Sequence, residues 1–220
     1  MDEAGLPFRA TKDFDVVLFV EVLDARFAEA FWTFVEVGGY ERRAKADGGK
    51  LYRFERPTAN DVPRIIELFS RAPNGFELAP GSALTPLPIA EEADSLSAIL
   101  LDEAYYAFLR ANTREVDGLP LLGEAGLVPF KAKAFLDLSA RREAGEPVDS
   151  KDIRKHRNDV FRILQLLPAD IVHALPEGIL SDMRAFHGSV AADGTFKPED
   201  FEVMLSPADA LARLAAAYGL

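Results

Sequence analysis

An α/β fold is what this 220-residue chain predicts: a small mixed sheet with flanking helices in residues 1–92, followed by an α-helical domain in residues 93–220. Three observations carry that prediction. Short β-branched and aromatic runs, DFDVVLFV, KLYRFER and PRIIELFS, punctuate the first part. The segment from Arg71 to Ala93 is rich in proline, glycine and small residues, the composition of a long connection. Beyond it, apolar residues recur almost throughout at helical spacing.

Composition narrows the function classes. The chain is long enough to bury a proper core. It has no cysteine, which excludes disulfides and thiolate metal sites. An acidic start and apolar runs too short for a bilayer point to a cytoplasmic protein without a membrane partner. The formal net charge of −11 argues against broad binding to a phosphate backbone but leaves room for a local basic patch.

The first strand is predicted from Phe14 to Val20, buried on both faces. Alternation points Asp13 and Asp15 the same way at its start. Two carboxylates so close repel unless a cation lies between them or one is protonated. Their oxygens suit Mg²⁺ or Mn²⁺, and such a pair can bridge two ions about 4 Å apart for in-line displacement at phosphorus. The simpler alternative is a pair of solvated charges flanking an edge strand.

Asp24 is placed to cap a helix whose Phe27, Phe31 and Phe34 pack on the sheet and which Gly38-Gly39 ends. Trp32, within it, reads as structural. Gly39 to Lys50 predicts a hairpin or loop, and strands follow from Lys50 and Pro63 with a polar turn between them. In the second of these strands Glu67 alternates onto the face of Ile65 and Phe69. A carboxylate without a partner there would have a raised pKa and could take a proton from an attacking hydroxyl. On an edge strand it would simply turn to water. Glu55 and Asp61 are alternatives for the same role.

In the second part, Ser95 is expected to cap a helix running to about Asn112. A turn at Asp117 to Pro120 and Pro129 at a helix start lead to a helix from Phe130 to Glu143. Asp149 or Ser150 caps the next, on which Asp152, His156 and Asp159 form one stripe beside Ile153, Val160 and Leu164. That stripe either lines a cleft toward the strand domain, with spacing that fits a metal, or is ordinary hydrogen-bonded helix surface. Lys151, Arg154, Lys155, Arg157 and Arg162 make this the most basic stretch, where the phosphate of a nucleotide or an RNA acceptor would be attracted. Ser206-Pro207 starts a last helix with Leu211, Leu214 and Tyr218 inward.

Arg9, Thr11, Asp13 and Asp15, as R-x-T-x-D-h-D-h-h-h, resemble the metal-binding strand of nucleotidyltransferases, in particular the family of AbiEii-type toxins. The block FKAKAFLDLSARREAGEPVDSKDIRKHRNDVFRIL, from Phe130 to Leu164, resembles the helical half of the same family, so the resemblance covers residues 9–167. It implies a nucleotidyltransferase-type sheet and transfer of a nucleoside monophosphate from a nucleoside triphosphate to an acceptor hydroxyl of RNA, protein or a small molecule. Asp13 and Asp15 would hold Mg²⁺ or Mn²⁺, and Glu67 would be the third carboxylate. Arg9, Thr11, Lys131, Asp152 and His156 would serve the nucleotide, Lys131 with Arg9 neutralising its phosphates. An antitoxin partner or a homo-oligomer is the implied assembly.

In that family a Gly-Gly or Gly-Ser turn that cradles the triphosphate lies roughly ten residues ahead of the aspartates. Here MDEAGLPF offers only Gly5. The resemblance therefore leaves an upstream start codon, with function intact, or loss of the turn and the strand before it, with weak or no catalysis. A catalytically inactive relative that binds a nucleotide or a partner is the alternative function, and a metal-assisted phosphohydrolase a more distant one.

Overall fold

A mixed α/β structure is observed in the computed structural model, which describes residues 13–19, 23–44, 51–72, 84–87 and 97–220. Arg9 and Thr11 lie outside the described residues, as does the side chain of Asp13. The chain divides between Tyr106 and Ala107 into a sheet unit and a helical unit.

In the sheet unit, β1 (Asp13–Val17) pairs in parallel with β4 (Ile65–Ser70). β2 (Glu41–Ala44) and β3 (Leu51–Glu55) are antiparallel to each other, and β3 is antiparallel to β4. β5 (Leu84–Pro86) is antiparallel to β6 (Ser97–Leu100), which lies parallel to β4. Because β1 registers with residues 65–69 of β4, the other edge of β4 is shared in succession by β3, at 65–67, and β6, at 69–70. β4 is thus the strand on which the sheet is assembled.

α1 (Ala25–Gly38) covers one face of that sheet. Its start is fixed by Asp24, whose carboxylate accepts from the Phe27 N–H at 2.9 Å. It ends at Gly39, whose φ of 63° is the left-handed cap that glycine adopts without strain. Phe31 and Trp32 meet Phe54 edge-on at 5.1 and 5.9 Å, joining a core of Leu18, Val35, Phe54, Ile66 and Leu68. Phe34 falls outside the expected stripe. It is partly exposed, and the buried residue on that turn is Val35.

Two strand expectations change. β1 is not buried on both faces, since Phe14 is half exposed and Asp15 exposed. Among the described residues it pairs only with β4, as an edge strand does. The helix expected from Ser95 is instead split into β6 and α2 (Glu103–Asn112). Pairing with the free edge of β4 draws residues 97–100 into the sheet, and the Asp102 carboxylate then starts the helix by accepting from the Ala104 N–H at 2.8 Å.

The helical unit opens with a hairpin, β7 (Thr113–Val116) and β8 (Leu119–Leu122). Asp117 and Gly118 both have positive φ, 51° and 77°, the two-residue turn that matches strand twist. α3 (Glu124–Glu143) begins six residues before the expected start, which leaves Pro129 inside it. Proline has no N–H for the carbonyl four residues back. That carbonyl, of Ala125, accepts instead from the Tyr218 hydroxyl at 2.9 Å.

α4 (Ser150–Leu164) is capped by Asp149, which accepts from the Lys151 N–H at 2.8 Å. α5 (Glu177–Ala192), a short 3₁₀ turn at Pro198–Phe201 and α6 (Pro207–Tyr218) complete the unit. α6 has the expected start: Ser206 accepts from the Asp209 N–H at 3.1 Å, with proline at the first helical position. The core joins Val128, Phe161, Leu164, Met183, Phe186 and Leu214 from all four helices. No helix among the described residues is long and apolar enough to cross a membrane.

Candidate functional site

The sheet register sets the acidic residues in rows. Asp15 of β1 lies opposite Glu67 of β4, and Glu67 lies opposite Arg53 of β3. The adjacent row runs from the backbone of Asp13 through Ile65 to Glu55. Partners in register share a face, with neighbouring strands about 4.8 Å apart. Asp15, Glu67, Arg53 and Glu55 therefore occupy one face, and Ile66, Leu68 and Phe54 the other, beneath α1. The burial pattern of β4 agrees: Ile66, Leu68 and Ser70 are buried, while Ile65, Glu67 and Phe69 are only partly so.

Glu67 has a partner that its own strand does not reveal. The Arg53 guanidinium donates from Nη1 to Glu67 Oε1 at 2.7 Å and from Nε to Glu55 Oε2 at 3.1 Å. This removes the reason to expect a neutral carboxyl at Glu67. Burial works against the Arg53 charge, yet the Glu67 and Glu55 carboxylates outweigh it and hold the guanidinium above its ordinary pKa. One of the two reserve carboxylates, Glu55, thus belongs to the cluster. Asp61 lies in the turn between β3 and β4 and is exposed.

Carboxylate oxygens are the donors that Mg²⁺ and Mn²⁺ prefer, so the chemistry of Asp13, Asp15 and Glu67 fits such an ion. Among the described residues, no group of three or more acidic or histidine side chains is arranged to hold a metal.

Lys131, Asp152 and His156 all lie in the helical unit. His156, on α4, is pushed down to about 4, first by burial and then by the positive charges of Lys131 and Lys155, against the weaker pull of Asp159 and Asp152. Its Nδ1 is buried and has no hydrogen-bond partner among the described residues. The structure thus brings Lys131 and Asp152 within electrostatic reach of a neutral imidazole, which can ligate or accept a proton but adds no positive charge for a phosphate.

The stripe expected on α4 is not uniform. Asp152 is exposed, whereas Asp159 is buried and accepts from Arg162 at 3.4 Å. Nor does the whole basic stretch face solvent. Arg157 is buried, ion-paired to Asp193 and stacked over Phe196. Arg162 donates to the Phe201 carbonyl at 3.2 Å. These two arginines hold α4 to the segment that follows α5.

Arg53 escaped the sequence reading because its significance depends on which strand neighbours β4. The only signal was its alternation with Glu55 in LYRFE. Comparison of the chain with known protein families, curated proteins and solved structures finds no match.

Proposed function

We propose that this protein is a metal-dependent nucleotidyltransferase of the AbiEii-like kind, with a nucleotidyltransferase-type sheet carrying its acidic residues. The observation that supports this most is the register of Asp15 with Glu67 on adjacent parallel strands. It sets a carboxylate from each strand on one side of the sheet, next to the backbone position of Asp13.

Asp13 and Asp15 would hold Mg²⁺ or Mn²⁺, which when bound neutralises charge on the phosphorus oxygens. In the reaction the acceptor oxygen bonds to the α-phosphorus, the bond to the β-phosphate bridge breaks and pyrophosphate leaves. The hydroxyl proton passes to a carboxylate, Glu67 in this reading, which Arg53 orients. The resemblance gives Lys131 and Arg9 the role of neutralising the triphosphate. Asp152 and His156 would serve the nucleotide as neighbours of Lys131.

One observation favours a second reading, a catalytically inactive nucleotide- or partner-binding protein. Glu67 is already engaged by Arg53, which competes with any metal or proton for that carboxylate.

Label transfer separates the two. With Mg²⁺ or Mn²⁺, α-labelled nucleoside triphosphates and total cellular RNA and protein as acceptors, the wild type should label an acceptor. Asp15→Asn should lose at least about a hundredfold of that activity. Absence of transfer with every nucleotide and acceptor would favour the binding protein, and release of free phosphate without transfer a phosphohydrolase.

A further inference from the structure

The last turns of α3 and the first turns of α4 border a shallow, solvent-open pocket of about 470 Å³, within the size range of small-molecule sites. Arg142 and Glu143 come to it from α3, Arg154 and Arg157 from α4, and Asp193 from the end of α5, with Phe135 in its wall. Lys131, Asp152 and His156 are not among its lining residues. At about 100° per residue, Arg154 and Arg157 fall on one side of the buried stripe of Val160 and Leu164, and Asp152 and His156 on the other.

Three guanidinium groups at one cavity are notable in a protein of net charge −11. Arg157 is 6% exposed and paired with Asp193. Asp193 in turn accepts from the Thr195 N–H at 2.9 Å and its hydroxyl at 2.6 Å, so its oxygens are in use. Burial pulls the Arg157 guanidinium below its ordinary value, opposed by Asp193 and reinforced by the like charge of Arg154. Among the described residues, Arg154 donates to the Ser150 hydroxyl alone, at 3.3 Å. Among the described residues, no carboxylate pairs with Arg142 or Arg154.

We propose that this cavity binds a small sugar phosphate, its phosphate held by Arg142 and Arg154 and its sugar hydroxyls by Glu143. Guanidinium forks match phosphate oxygens in shape and charge, and two of them balance a phosphate dianion. Glu143 would repel a ligand that is anionic throughout but accepts from hydroxyls. Phe135 supplies the apolar wall against which a sugar ring rests. No metal or triphosphate is needed, so the site stands independently of the proposed reaction.

The test is calorimetric titration of the full chain, with EDTA present, using ribose 5-phosphate, inorganic phosphate and ribose as probes. Ribose 5-phosphate should bind saturably and ribose should not. The R142A/R154A double variant should weaken ribose 5-phosphate binding about tenfold or more, with thermal unfolding unchanged because both side chains face solvent. Arg142→Gln and Arg154→Gln alone should show the same loss in smaller steps. Glu143→Gln should weaken ribose 5-phosphate while leaving inorganic phosphate bound as before. Asp15→Asn should bind like the wild type. Lack of saturable binding, wild-type affinity in the double arginine variant, or equal loss in Asp15→Asn would each overturn the proposal.

Discussion

Arg53 ties Glu67 to Glu55 across two strands, and the three side chains are each less than one-third exposed. Removing the cation would leave two carboxylates together on a half-buried face. Arg53→Ala should therefore cost on the order of 1 kcal/mol in urea unfolding, and the loss should shrink in a Glu67→Gln background. Additive losses would mean that the pair contributes no coupling. His156 makes a second prediction at this scale. Its folded-state value of about 4 lies below the ordinary 6.5, so between those values the unfolded chain binds the proton and the folded chain does not. Stability should be unaffected by this group above the upper value and should fall as pH drops toward the lower one, by on the order of 2 to 3 kcal/mol. His156→Gln should flatten that dependence, which unfolding at neutral pH and at about pH 4.5 would reveal. An unchanged slope in the variant would exclude His156 as its source.

At the scale of elements, α3 shows how a proline is accommodated inside a helix. The Ala125 carbonyl that Pro129 cannot bond is satisfied from α6, through a buried Tyr218 hydroxyl whose pKa is driven up by that burial. Tyr218→Phe should cost about 1 to 2 kcal/mol, the penalty for a buried carbonyl without a donor. In Pro129→Ala the helix regains its own N–H at that turn. The same Tyr218→Phe change should then cost clearly less, and a double-mutant cycle measures the difference. Equal losses in both backgrounds would mean that water or another group satisfies Ala125. The β6–α2 break belongs to this scale as well. A continuous apolar pattern reads as one helix, but Asp102 starts a helix only from its own position, and the sheet edge takes the residues before it.

For the whole molecule, the division between Tyr106 and Ala107 falls within α2. The helical unit has its own core, drawn entirely from residues 128–218. A fragment beginning at Glu103, which keeps α2 whole, should be helical by circular dichroism and unfold in one cooperative transition. A broad, non-cooperative melt would show that the core depends on the sheet unit.

Sequence by itself determined what is local in this protein. The caps at Asp24 and Ser206, a cap at Asp149 or Ser150, the glycine end of α1, the strands around Asp13, Phe54 and Glu67, and the helical character of the second part all follow from side chains acting on their nearest backbone. The mixed α/β class follows from their order. Tertiary structure alone decided what depends on distant neighbours. It brought β4 between β1 and β3, so that Asp15, Glu67 and Arg53 stand in one row. It turned Arg157 and Arg162 inward, set Lys131 near His156, and placed a tyrosine hydroxyl on the carbonyl that Pro129 leaves open. The reason is physical: hydrogen bonding at a cap is settled within a few residues, whereas the partner of a buried charge or carbonyl is chosen by packing across the chain.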